Sequence, residues 1–150
     1  METYNYKATV TWTHDLTGWG EPAGVLDSVK FSAPPEFGGQ AGLWSPETFF
    51  VLAANSCLMS TLLVLAKHSK LTFASYESEG EAVVERVAGQ GYRFKQLTLR
   101  PVVTVVRESE IPAAQALLTK AQGHCLVTNA LAVPVRIEGR VEMMAPALHG

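Results

Sequence analysis

The stretch Trp44 to Ser60, WSPETFFVLAANSCLMS, governs how the rest of the chain is read. Ser45 is a favoured N-cap residue, Pro46 suits the first helical position, and Glu47 complements the positive end of a helix dipole. The apolar run behind them predicts a helix reaching to about Lys67–Lys70, with basic residues in its last turn. It is apolar nearly all round, so burial on several sides is expected. Phe49 to Ala66 runs 18 residues without a charge, the lower limit for a membrane span. Asn55, Ser56, Ser60 and Thr61 interrupt that run, and the flanking segments pattern as parts of a water-facing fold. A buried central helix is therefore expected, with no membrane partner.

Upstream, Tyr4 to Thr13 alternates with period 2: Tyr4, Tyr6, Ala8, Val10 and Trp12 fall on one face. That is the pattern of a half-buried strand. Gly18, Gly20, Pro22 and Gly24 read as turns, Val25 to Phe31 as a second strand, and SAPPEFGGQAG as a long loop of the kind that often carries function. Downstream, Leu71 to Val87 alternates again, with Gly80 as a bulge or turn. Tyr92 to Arg107 reads as a long strand whose Pro101 argues for an edge or bulge. Ile111 to Gln122 reads as a helix with Ser109 as its cap and Gly123 as its end. Cys125 to Leu131 suits a short helix, and Val133 to Met143 a last strand. Strands, long helix, strands, helix and strand in that order mean α+β.

The 150 residues suffice for one core, and a single domain over 1–150 is expected. A formal net charge of −2, with no Lys/Arg run, offers no footprint for nucleic acid. METYNYKATV has no basic region leading into an apolar one, so no secretory leader is expected. Two cysteines do not make a disulfide scaffold, and they suit a reducing, cytoplasmic setting.

Nucleophile candidates are few. Cys57 and Cys125 stand 68 positions apart, so any meeting depends on the fold. His14, His68, His124 and His149 are scattered, and His124 beside Cys125 supplies fewer ligands than a zinc site needs. No nucleotide-binding glycine loop occurs, so no bound cofactor or metal is expected. For Cys57 two readings stand side by side. A cysteine in an apolar helix commonly packs as a small inert hydrophobe. Three turns in, it lies beyond the reach of the helix dipole, and apolar surroundings raise a thiol's pKa, so activation would need help from another segment. Cys125 follows the break at Gly123. It is either an ordinary turn cysteine or one whose thiolate is favoured by backbone N–H groups at a helix start.

SPETFFVLAANSC resembles the Pro-Glu helix and first cysteine motif of the OsmC/Ohr family, the osmotically inducible and organic hydroperoxide resistance proteins. GHCLVTNAL resembles that family's second cysteine motif. APPEFGGQAGLW looks like a less characterised branch. The resemblance spans nearly the whole chain and implies an OsmC-like α+β fold: antiparallel sheets around a long buried helix, in an intertwined homodimer with its sites at the subunit interface. It implies that Cys57 is the peroxidatic thiol attacking organic hydroperoxides, that Cys125 is the resolving thiol, and that Glu47 orients an activating arginine. It further implies reduction by an external dithiol, lipoyl-linked in relatives. One departure stands out. Where peroxidase-active relatives place that arginine, this chain has His14 and Lys30, leaving Arg93 or Arg100 as more distant sources of charge. That departure motivates a second, non-enzymatic reading, in which the protein binds a small apolar ligand or senses redox state.

Overall fold

The computed structural model describes residues 1–146; His149 lies outside the described residues. The chain divides into two compact units, Met1–Phe50 and the remainder from Val51 onward. The long helix α1 (Pro46–His68) begins in the first and continues through the second.

In the first unit, β1 (Ala8–His14), β2 (Thr17–Pro22) and β3 (Val29–Ser32) form an antiparallel sheet in that order. β2 corrects the expectation of turns at Gly18 and Gly20. These glycines are strand residues, because a Cβ at Gly18 would stand 2.8 Å from the Thr11 carbonyl oxygen and 3.2 Å from the Phe31 ring. The second strand is accordingly shorter than Val25 to Phe31 and starts at Val29. β1 is exposed along its whole length, so the apolar face carrying Val10 and Trp12 is left uncovered by the described residues of this unit.

The start of α1 is built as its sequence predicts. The Thr48 N–H donates to Ser45 Oγ at 3.2 Å, and the Ser45 N–H donates to Thr48 Oγ1 at 2.8 Å. This reciprocal pair satisfies orphan helix donors. Trp44, just before the cap, stacks on Phe49 with ring centroids 5.6 Å apart, stapling the entry of the chain into the helix.

In the second unit, β4 (Ser75–Val87) and β5 (Gly91–Val105) form a long antiparallel pair, with a register shift between Val83 and Val84 rather than at Gly80. After β5 the chain makes a one-turn 3₁₀ helix (Glu108–Glu110), then α2 (Ile111–His124) and α3 (Leu126–Ala130). Ser109 lies inside the 3₁₀ turn and does not cap α2, and Gly123 is inside α2 rather than beyond it. The expected last strand is two, β6 (Val135–Ile137) and β7 (Arg140–Met143). Both run parallel to β5, because the helical crossover returns the chain in the same direction. The sheet is therefore mixed. Pro101 is buried inside β5, not at an edge. The backbone groups of Leu97 and Leu99 face β6, so by alternation Pro101 faces the gap where β6 ends and β7 begins, and its missing N–H leaves no ladder bond unmade.

The core of this unit joins Leu97, Leu99, Val103 and Val105 of β5, Ala114 and Ala121 of α2, and Ala54, Leu58, Leu62 and Ala66 of α1. The α1 residues are spaced by four and make a single stripe. Burial on several sides does not occur among the described residues: Leu52 is 47% exposed, Leu63 44% and Val64 54%. α1 is long and apolar enough to cross a membrane by length and composition, and that stripe packs it as a core helix.

Candidate functional site

Cys57 lies midway along α1 and is partly accessible, whereas Cys125 is fully buried. Cys125 is the residue at which α2 ends and α3 begins. Its backbone is extended (φ −68°, ψ 109°), so the chain turns sharply there and the first N–H groups of α3 are left without helical partners. The rest of GHCLVTNAL holds this corner. Asn129 Nδ2 donates to the Gly123 carbonyl at 2.9 Å, the Asn129 N–H donates to the Cys125 carbonyl at 3.1 Å, and the buried Thr128 donates its hydroxyl to that carbonyl at 3.3 Å.

The corner meets α1 at Cys57. Burial pushes the Cys57 thiol up, but the neighbouring Val127 N–H, Cys125 thiol, Thr61 hydroxyl and Leu126 N–H outweigh it and bring the thiol below its ordinary value; the Thr61 hydroxyl itself donates to the Cys57 carbonyl at 2.8 Å. A thiolate here would be held by neutral donors, none of which is a cation. The two cysteines are thus brought together. Arg93 is engaged with Glu85 at 3.2 Å, and Arg100 spans Glu79 at 3.0 Å, Glu81 at 3.1 Å and Glu138 at 3.5 Å. The donors at Cys57 were invisible along the sequence because they are backbone groups from a segment almost 70 residues away. The one local signal was Thr61, a turn after Cys57.

Glu47 occupies the first turn of α1, and its Oε2 is buried with no hydrogen-bond partner among the described residues. An unpaired buried carboxylate oxygen is costly and is a ready acceptor for an incoming donor. Tyr76 Oη is likewise buried without a partner. Burial raises the Tyr76 phenol, the nearby Ser78 hydroxyl works against that rise, and negative charge on Cys125 would add to it. Ser78 instead donates to Asn55 Oδ1 at 2.6 Å, while Asn55 Nδ2 donates to the Ser78 carbonyl at 2.8 Å, fastening α1 to β4. Beside that pair, a cleft of about 220 Å³ is lined by Leu52, Asn55, Met59, Tyr76 and Ser78. In the first unit a second cleft, about 360 Å³, is walled by Val10, Trp12, Leu16, Phe31 and Pro46. No group of three or more metal-ligating side chains occurs among the described residues.

The OsmC-like protein family profile matches residues 39–139, which include both cysteines and the start of α1. The chain belongs to the OsmC-like family. Solved structures agree in fold. An OsmC-like protein of unknown function from Vibrio cholerae superposes with a TM-score of 0.79 at 19% identity, covering 91% of this chain and 99% of that one. An OsmC organic hydroperoxide resistance protein from Legionella pneumophila gives 0.71 at 21% identity, covering 97% and 100%. An organic hydroperoxide resistance protein from Elizabethkingia anophelis gives 0.73 at 20% identity, covering 95% and 99%. No curated protein sequence matches the chain. The OsmC-like fold inferred from the two cysteine motifs is therefore the fold of this chain.

Proposed function

We propose that this OsmC-like protein is a thiol-dependent peroxidase that reduces organic hydroperoxides through a two-cysteine cycle. The Cys57 thiolate attacks the terminal oxygen of the hydroperoxide. An S–O bond forms, the O–O bond breaks, and the alkoxide leaves as the alcohol once it takes a proton. Cys57 is then a sulfenic acid. The Cys125 sulfur displaces its hydroxyl as water, giving a Cys57–Cys125 disulfide. An external dithiol, lipoyl-linked or otherwise, restores both thiols by exchange and is itself oxidised. The observation that carries this reading is the pairing of a partly accessible thiol on α1 with a fully buried second thiol, Cys125, beside it, whose proximity helps to lower the first.

Glu47 enters as an orienting carboxylate, supported by its unsatisfied buried oxygen. A homodimer with its sites at the interface is part of the same reading, supported by the bare apolar faces of α1 and β1. A cytoplasmic setting belongs to the same reading, supported by two free cysteines of the kind that suit a reducing compartment. The measurement is loss of tert-butyl or fatty-acid hydroperoxide with a dithiol present. Wild type turns over and Cys57→Ser does not; equal rates in both would remove the proposal.

A second reading has one observation in its favour. The 360 Å³ cleft of the first unit is mostly apolar and suits a small apolar ligand, which would make the protein a binder or sensor. Ligand binding that survives in Cys57→Ser, with no peroxide turnover in wild type, is the outcome it requires.

A further inference from the structure

The hydroxyls in the middle of α1 bond within the helix: Ser56 to the Ala53 carbonyl, Ser60 to the Ser56 carbonyl and Thr61 to the Cys57 carbonyl. Asn55 reaches across to another element. It accepts from Ser78 Oγ at 2.6 Å and donates to the Ser78 carbonyl at 2.8 Å, which closes a two-point lock between α1 and β4. Gly80 lets the helix settle there, because a Cβ would stand 2.7 Å from Val51 Cγ1 and 3.3 Å from Asn55 Nδ2. The strand side of the lock is a firm anchor, since β4 pairs with β5 along its 13 residues. Apolar burial is non-directional, so the buried stripe holds α1 to the sheet more firmly than it sets the helix's rotation. A pair of hydrogen bonds is directional and does set it. Asn55 and Cys57 are separated by about 200° around the helix. Ala54, Leu58 and Leu62 of the stripe fall in the arc between them, so a turn of α1 that opens the lock carries Cys57 with it.

We propose that Asn55 is a positioning residue: locked to Ser78, it fixes the rotation of α1 about its own axis and so sets the Cys57 sulfur against the Cys125 corner. It touches neither sulfur and exchanges no proton or electron with them. The titratable group facing Cys57 from the corner is Cys125, and Tyr76 of β4 is close enough to feel charge on Cys125. This inference rests on reading the two cysteines as one redox unit and deepens it. The chain places its thiols from the far flank of α1, through an amide and a hydroxyl on an outer strand.

The test compares wild type, Asn55→Ala, Ser78→Ala and Ser78→Thr in two measurements. One is the ratio of Cys57–Cys125 disulfide to dithiol in a glutathione buffer, where glutathione disulfide takes the two electrons and leaves as two thiols. The other is the pH profile of Cys57 alkylation by iodoacetamide, read by peptide mass. A loss of stability shared by the reduced and oxidised forms cancels from the ratio, whereas a misplaced sulfur does not. The expected ratio in Asn55→Ala falls by about tenfold, since a displacement of about 1 Å between reacting groups can cost up to about a hundredfold. Its alkylation profile moves to higher pH. Ser78→Ala moves both readings the same way by less, because Asn55 Nδ2 still reaches the Ser78 carbonyl. Ser78→Thr keeps the hydroxyl and restores wild-type values. Should Asn55→Ala fail to fold, Ser78→Ala against Ser78→Thr decides. A variant that melts lower while both readings stay at wild-type values overturns the proposal, as does a threonine variant that behaves like alanine. Hydroperoxide turnover measured alongside separates the two claims. Displaced readings with no turnover in wild type sink the peroxidase and leave Asn55 standing; turnover with unmoved readings does the reverse. A wild type that forms no disulfide removes the two-cysteine cycle, and the alkylation profiles then decide Asn55 by themselves.

Discussion

Ionising Cys57 removes a proton from a sulfur that is partly withdrawn from water, and the net lowering of its pKa means that the surrounding donors more than repay the lost hydration. That shift is also a statement about stability. An acidic group depressed in the folded state adds nothing well below its folded pKa. Its contribution grows as pH rises toward the unfolded thiol value of about 8.5, and is complete above it. Wild type should therefore gain melting temperature over Cys57→Ser as pH is raised from about 6 to about 9. A difference that stays constant across that range would mean the donors do not act on the thiolate. This balance is not legible along the chain. From the apolar helix alone Cys57 looks like filler, and the sign of its shift depends on Leu126 and Val127, whose side chains are irrelevant and whose N–H groups every residue but proline possesses. Only the likeness of SPETFFVLAANSC and GHCLVTNAL to paired family motifs joined the two cysteines before the fold did.

α1 shows what a helix sequence does and does not encode. Its ends were legible because capping is local: Ser45, Pro46 and Glu47 at the start, basic residues at the finish. β2 was hidden because Gly18 looks like a turn residue, and its reason for being glycine is a neighbour across the sheet. Pro101 misled in the same way, since the gap between β6 and β7 that accommodates it is a product of the crossover. The all-round apolarity of α1 exceeds what the described residues cover. Four residues spaced by four pack inward, and Leu52, Leu63 and Val64 remain uncovered. If a second copy covers them, a charge placed there should separate the copies without unfolding either, because the site is already exposed in one chain. Sedimentation should find wild type as a dimer and Val64→Glu shifted toward monomer. A wild type that sediments as a monomer at micromolar concentration would refute the homodimer.

At the scale of the molecule, family membership and fold are secure, and they narrow the chemistry without completing it. The matched region carries both cysteines, and the superposed relatives include proteins described as organic hydroperoxide resistance proteins as well as one of unknown function. What this chain adds is a thiol lowered by uncharged neighbours, with Arg93 and Arg100 committed to carboxylates in the second unit. Its central claim is that Cys57 and Cys125 act as one redox unit. The most direct measurement treats the reduced protein with one equivalent of an organic hydroperoxide and maps the thiols by peptide mass. A Cys57–Cys125 disulfide should form in wild type, and a trappable sulfenic acid should remain on Cys57 in Cys125→Ser. Two thiols still reduced after the peroxide, in wild type and variant alike, would contradict the account.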